Sequence, residues 1–133
     1  MGKNQPAENV RIFVVEDDPI YLRLAKYVME LNPDHEVHTF TTGRECLQNL
    51  HLRPHLFSLD YSLPDMDGGE LMRQIKRTLP EAGFLILSGQ KEVKVAVELL
   101  REGAFDYITK DSRWARRRTT PRPRRKALTS SSS

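Results

Sequence analysis

Cysteine is almost missing from this chain: Cys46 is the only one in 133 residues. One thiol closes no internal disulfide, so the fold must rest on its core, and a reducing, cytoplasmic setting is expected. Long apolar runs are missing too; none approaches the roughly 20 residues of a membrane-spanning helix. The opening "MGKNQPAEN" is polar and lacks the apolar centre of a secretory signal, and residues 1–8 are expected to be a disordered N-terminal segment. Tryptophan occurs once, as Trp114. What remains is an ordinary apolar content on a length that suits one domain with one core.

Acidic residues run out near the C-terminus. Residues 1–110 hold 13 Lys+Arg against 17 Asp+Glu, a balance of −4, whereas residues 111–133 hold 8 Lys+Arg and only Asp111, a balance of +7. The body is therefore mildly acidic and the tail strongly basic. The tail lacks interleaved aromatics apart from Trp114 and shows no helix-turn-helix pattern, so nucleic-acid contact is not expected of it. A solvated, disordered tail over 112–133 is the expectation.

The rest of the chain alternates between two periods. "VRIFVV" (10–15) reads as a buried strand, and Asp18-Pro19 as N-cap and first residue of a helix with Ile20, Leu24, Val28 and Leu31 inward. "HEVHTF" (35–40) is a second strand, and "TTGRECLQNLHL" (41–52) a short helix with Leu47 and Leu50 inward. "PHLFSLD" (54–60) is a third strand, followed by the loop "YSLPDMDGG" and a helix over 69–79. "GFLILSG" (83–89) is a fourth strand; a helix over 91–103 carries Val93, Ala96, Val97 and Leu100 on one face; "AFDYITK" (104–110) is a fifth strand. Strict βα alternation with nearly continuous apolar strands argues a parallel sheet covered on both faces. Such a sheet binds its ligand outside the carboxyl ends of the strands.

Those ends carry the chemistry. The first strand runs into Glu16 and Asp17, the third ends on Asp60, the fourth on Ser88 and the fifth on Lys110. Carboxylates held together need a cation or a proton. A hard divalent ion such as Mg²⁺ takes oxygen ligands and often binds carboxylates beside a phosphate. The four histidines, His35, His38, His51 and His55, fall away from this edge and read as surface or packing residues. Cys46 reads as a small helix-face residue.

The pieces "VVEDDP", "SLDYSLPDMDGGEL", "ILSG" and "GAFDYITK", in this order and spacing, resemble the receiver domain of two-component response regulators (CheY-like) over residues 9–111. The resemblance implies a flavodoxin-like (βα)₅ doubly wound fold with strand order 2-1-3-4-5. It implies a phosphoacceptor domain rather than an enzyme, one that takes a phosphoryl group from a sensor histidine kinase or phosphotransfer protein with Mg²⁺. It further implies Asp60 as the acceptor, Asp17 as direct metal ligand and Glu16 as the acid acting through metal-bound water. The main-chain carbonyl of Ser62 would complete the metal ligands. Ser88 and Lys110 would contact the phosphoryl group, and Tyr107 would turn inward with Ser88.

The chain departs from the pattern after Lys110, where proline is usual and Asp111 stands instead. The segment beyond reads either as a short divergent fifth helix with a basic tail or as sequence foreign to the domain. An incomplete last helix would expose part of one sheet face and invite dimerisation. Two other functions compete. "DMDGG" (65–69) resembles the core motif of haloacid dehalogenase-type phosphatases, but Pro64 precedes it where that family has an apolar strand. A receiver-like interaction module that works without phosphorylation is the other; the intact acid set and Lys110 argue against it.

Overall fold

Val10–Val15 form β1, and the chain then alternates through α1 (Pro19–Met29), β2 (His35–Phe40), α2 (Gly43–Leu47), a 3-10 turn (Leu50–Leu52), β3 (Leu56–Asp60), α3 (Gly68–Thr78), β4 (Gly83–Ser88), α4 (Val93–Arg101) and β5 (Asp106–Thr109). The computed structural model describes residues 9–90 and 92–110. The five strands make one parallel sheet in the order β2-β1-β3-β4-β5, which is the expected flavodoxin-like architecture. The expected N-terminal segment 1–8, the basic tail 112–133 and the fifth helix lie outside the described residues.

The order explains the layers. The chain steps one way from β1 to β2, then returns past β1 and steps the other way to β5. Right-handed crossovers therefore put α1 on one face and α2, α3 and α4 on the other. The main core lies on the second face. Phe13, Phe57 and Phe84 stand in register across β1, β3 and β4, and Phe57 and Phe84 stack at 5.2 Å between ring centroids. Val15, Leu59 and Ile86 form the next layer towards the carboxyl edge, and Leu71, Met72 and Ile75 of α3 close over both. Cys46 of α2 is buried in this core, where desolvation pushes its thiol up to about 12. No helix among the described residues is long and apolar enough to cross a membrane.

Two helices sit differently from expectation. In α4 the expected inward face, Val93, Ala96, Val97 and Leu100, is mostly turned to solvent. Val93 is 69% exposed and Leu100 43%, while Leu99 is the buried residue and Val95 packs on the core. In α1 no residue is fully buried: Ile20 is 67% exposed, and Leu31, expected on the same stripe but two residues past the helix end, is 65% exposed. That helix packs on β1 and β2, over the face that carries Ile12 and Val14. The helix expected over 41–52 breaks after Leu47, and Leu50 is buried from the 3-10 turn that follows. Elsewhere the ends differ by a few residues: β3 starts at Leu56, α4 spans Val93–Arg101 and β5 spans Asp106–Thr109.

Candidate functional site

The strand order reverses at β1, so the crevice of this sheet opens between the carboxyl ends of β1 and β3. Glu16 and Asp17 follow β1 directly, and Asp60 is the last residue of β3. One carboxylate oxygen from each of the three lies within 4.8 Å of the others. Glu16 and Asp60 are buried and Asp17 is exposed. This is a set of hard oxygen donors with one open side, the chemistry that suits Mg²⁺. The histidines stay out of it: His35 Nδ1 lies 2.7 Å from Met29 O, the His38 ring meets the edge of Phe13, and His55 Nδ1 accepts from Arg11 N–H.

Lys110 closes the cluster from the β5 side. Its main-chain N–H donates to Ser88 O at 2.7 Å, which pins the residue beside β4. Its Nζ then reaches Glu16 Oε1 at 2.8 Å and lies 3.4 Å from Asp60 Oδ1. Burial drives Glu16 up to about 7. The hydrogen bonds from Lys110 and from the Asp18 N–H oppose that rise, and the charge of Asp60 adds to it. For Lys110, burial works against the ammonium, but the hydrogen bond and charge of Glu16 and the charge of Asp60 outweigh it, so its pKa is raised. One buried ammonium thus faces two buried carboxylates, and the exposed Asp17 adds a third acid. That imbalance is met either by a proton on Glu16 or by a further cation.

Ser88 ends β4 and is buried, but its hydroxyl faces its own loop: it donates to Gln90 O at 3.0 Å and accepts from Gln90 N–H at 3.1 Å. Tyr107, half-buried on β5 opposite Ile86, packs against the main core. Ser62 is exposed two residues past Asp60, and its N–H points at Asp60 Oδ1, 3.4 Å away. All seven residues expected at the site are thus placed on or just behind one sheet edge.

The carboxylates of "DMDGG" are used otherwise. Asp65 accepts from the N–H groups of Gly43 and Arg44 at 2.9 and 2.8 Å, so it caps α2 from outside. Asp67 is the N-cap of α3, accepting from Glu70 N–H at 2.8 Å. Neither is free to serve as the nucleophile of a phosphatase motif. Gly68 permits the docking of α3: its N–H donates to Tyr61 O at 2.7 Å, and a Cβ there would stand 2.7 Å from Asp60 O.

One neighbour of the site escaped the sequence reading. The Tyr21 ring lies beneath Lys110, with Nζ 4.5 Å from its centroid. The helix stripe Ile20, Leu24, Val28, Leu31 passes Tyr21 by. The usable signal was its place three residues past Asp18, the N-cap, which turns the first turn of α1 towards the acids.

Comparison with known proteins agrees with this geometry. Residues 12–119 match the response regulator receiver domain family. A protein-glutamate methylesterase/protein-glutamine glutaminase of Nocardioides sp. is 33% identical over 105 residues, covering 76% of this chain and 29% of that protein. The chain therefore spans less than a third of that relative's length. A CheY-like receiver domain protein of Methanospirillum hungatei superimposes with a TM-score of 0.71 at 30% identity, over 77% of this chain and 82% of that one. The phosphorylated cyanobacterial phytochrome response regulator RcpA gives 0.72 at 28% identity, over 81% and 85%. With its parallel 2-1-3-4-5 sheet, its acid cluster at the switch point and a family match over most of its length, this chain belongs to the response regulator receiver domain family.

Proposed function

We propose that this chain accepts a phosphoryl group on Asp60 from a phosphohistidine of a sensor kinase or phosphotransfer protein, and changes shape in response. The single observation that carries this reading is the convergence of Glu16, Asp17 and Asp60 within 4.8 Å, with the Lys110 ammonium against two of them. An oxygen of Asp60 attacks phosphorus and forms the new O–P bond. The P–N bond of the donor histidine breaks, and its electron pair stays on the imidazole nitrogen. Little covalent chemistry falls to the protein, so rate depends on alignment and on neutralising the oxygens of the transferring group.

Glu16, Asp17 and Asp60, with the main-chain carbonyl of Ser62, would hold Mg²⁺. Bound there, Mg²⁺ supplies charge neutralisation for acid and phosphoryl oxygens alike. Lys110 offsets charge from the β5 side. The Ser88 hydroxyl now donates to a neutral carbonyl, and an anion on Asp60 offers it a stronger, charge-assisted acceptor. Turning to that acceptor vacates room beside Tyr107. The new arrangement is favoured by whatever contacts the phosphoryl group makes in it and not in the old one. By this reading the domain is a phosphoacceptor and not an enzyme with a separate substrate. That RcpA is a phosphorylated member of the same family supports it.

The test is labelling by acetyl phosphate with Mg²⁺, followed by intact mass. One added phosphate is expected, lost in Asp60→Asn. Labelling of Asp60→Asn at the wild-type rate would place the acceptor elsewhere. A wild-type chain that stays unlabelled even with its cognate kinase would favour the phosphorylation-independent module.

A further inference from the structure

Lys110 is held by groups that have other work to do. Its side chain is only 10% exposed, and its ammonium is shared between Glu16 and Asp60. If both carboxylates turn to a metal and to a phosphoryl group, the hydrogen bonds that aim Lys110 weaken just when its charge is needed. The main chain fixes only the backbone of Lys110, through its N–H to Ser88 O, and not the far end of its long side chain. The Tyr21 ring is the contact that neither event withdraws. Its face attracts an ammonium whatever the carboxylates are doing, and it keeps water off one side of the group. The ring is placed by a built entry to α1. Asp18 Oδ1 accepts from the Ile20 N–H at 2.9 Å and Pro19 sets the first turn, neither of which draws on Glu16 or Asp60.

We propose that Tyr21 is a positioning residue for phosphoryl transfer, acting through Lys110: its ring holds the ammonium at the site while Glu16 and Asp60 are engaged. This rests on the phosphoacceptor reading above. The ring is what matters, so Tyr21→Phe keeps the function and Tyr21→Leu, similar in bulk and helix-compatible, removes it.

The experiment uses the full chain and two readouts. The first needs no phosphorylation. In NMR spectra of the metal-free protein, the side-chain methylene protons of Lys110 are shifted upfield by the ring; the shift persists in Tyr21→Phe and vanishes in Tyr21→Leu. The second is labelling by acetyl phosphate at saturating Mg²⁺. Tyr21→Leu lowers the maximal rate by about tenfold while the half-saturating acetyl phosphate concentration changes little, and Tyr21→Phe stays within about twofold of wild type. Thermal unfolding of both variants stays close to wild type. A Tyr21→Leu chain that labels at the wild-type rate overturns the proposal, as does a Tyr21→Phe chain as slow as Tyr21→Leu. A wild-type chain that takes no label overturns the phosphoacceptor reading instead. In that case an unshifted Lys110 in the wild-type spectrum also removes the ring's hold on it.

Discussion

Adding one methyl group at Gly68 should damage both the fold and the proposed acceptor site, whereas the same change one residue later should do neither. A Cβ at Gly68 would stand 2.7 Å from Asp60 O and 2.9 Å from Tyr61 Cα, both backbone atoms of the turn that follows the acceptor. They cannot rotate away, so α3 and the end of β3 must part by about half an ångström or more, an overpacking that typically costs about 1–3 kcal/mol. Helix propensity returns at most about 0.5–1 kcal/mol of that. The net loss is about 1–2 kcal/mol, which lowers Tm by roughly 5–10 °C for a domain of this size. A shift of this order at Asp60, the proposed acceptor, should also slow its labelling by at least about tenfold. At Gly69 the nearest atom is Leu99 Cδ2 at 3.0 Å, the end of a flexible side chain, followed by Asp67 Oδ1 at 3.3 Å. Gly69→Ala should therefore stay within about 1 kcal/mol of wild type. Thermal melts and acetyl phosphate labelling of the two variants decide the matter. Equal stability and equal labelling in both would refute the claim that close backbone contact at Gly68 positions Asp60.

Three further outcomes are expected. Asp17→Asn should weaken Mg²⁺ binding strongly, seen as a higher midpoint in a Mg²⁺ titration followed by NMR shifts; an unchanged midpoint removes Asp17 from the ligands. Leu99→Ala should cost about 2–5 kcal/mol in urea unfolding, because Leu99 is the one residue of α4 that is fully buried, while Val97→Thr should cost under about 0.5 kcal/mol. Glu16 makes metal-free stability pH-dependent: its pKa stands at about 7 in the fold against 4.5 ordinarily, so the fold holds a proton that the unfolded chain has lost. Stability from this group is complete below about pH 4.5 and falls as pH rises through about 7. Glu16→Gln, measured with a chelator present, should flatten that slope, and an identical slope in the variant would show that burial of Glu16 is not its cause.

The carboxyl edge was legible because its signal is local. An apolar run that stops on an acid marks both a strand end and a candidate ligand, and it does so at Val15–Glu16 and at Leu59–Asp60 without reference to any other part of the chain. βα alternation then puts those ends together. What could not be read was set by partners distant in sequence. Asp65 caps a helix that begins 22 residues earlier, and Tyr21 meets a lysine from the far end of the domain. The Ser88 hydroxyl, expected near the acceptor, is held by the loop two residues on. Under the proposed function that bond belongs to one of two states of the hydroxyl, and composition does not say which is occupied.

The rotation of α4 shows why periodicity alone falls short. The helix "VKVAVELLR" is apolar on more than one side. Val93, Ala96, Val97 and Leu100 make the richer stripe, whereas Val95, Leu99 and Glu102 make a poorer one at i, i+4 and i+7. Hydrophobic pattern favours the first. The fold takes the second because α3 is built to receive it. Leu99 Cδ2 packs beside Gly69, and Arg73 Nε meets Glu102 Oε1 at 2.7 Å. Lys76 Nζ also donates to Glu102 O, and Gly103, at φ 118°, turns the chain into β5. Leu99 and the contacts of Glu102 thus hold the C-terminal half of α4, while its N-cap residue, Glu92, makes no side-chain capping bond. The firmly held end lies beside the amino edge of the sheet, and the uncapped end lies beside Ser88 and the acids. Under the proposed function, a change at Ser88 would reach the uncapped half of α4 first, where Val93 and Val97 are exposed.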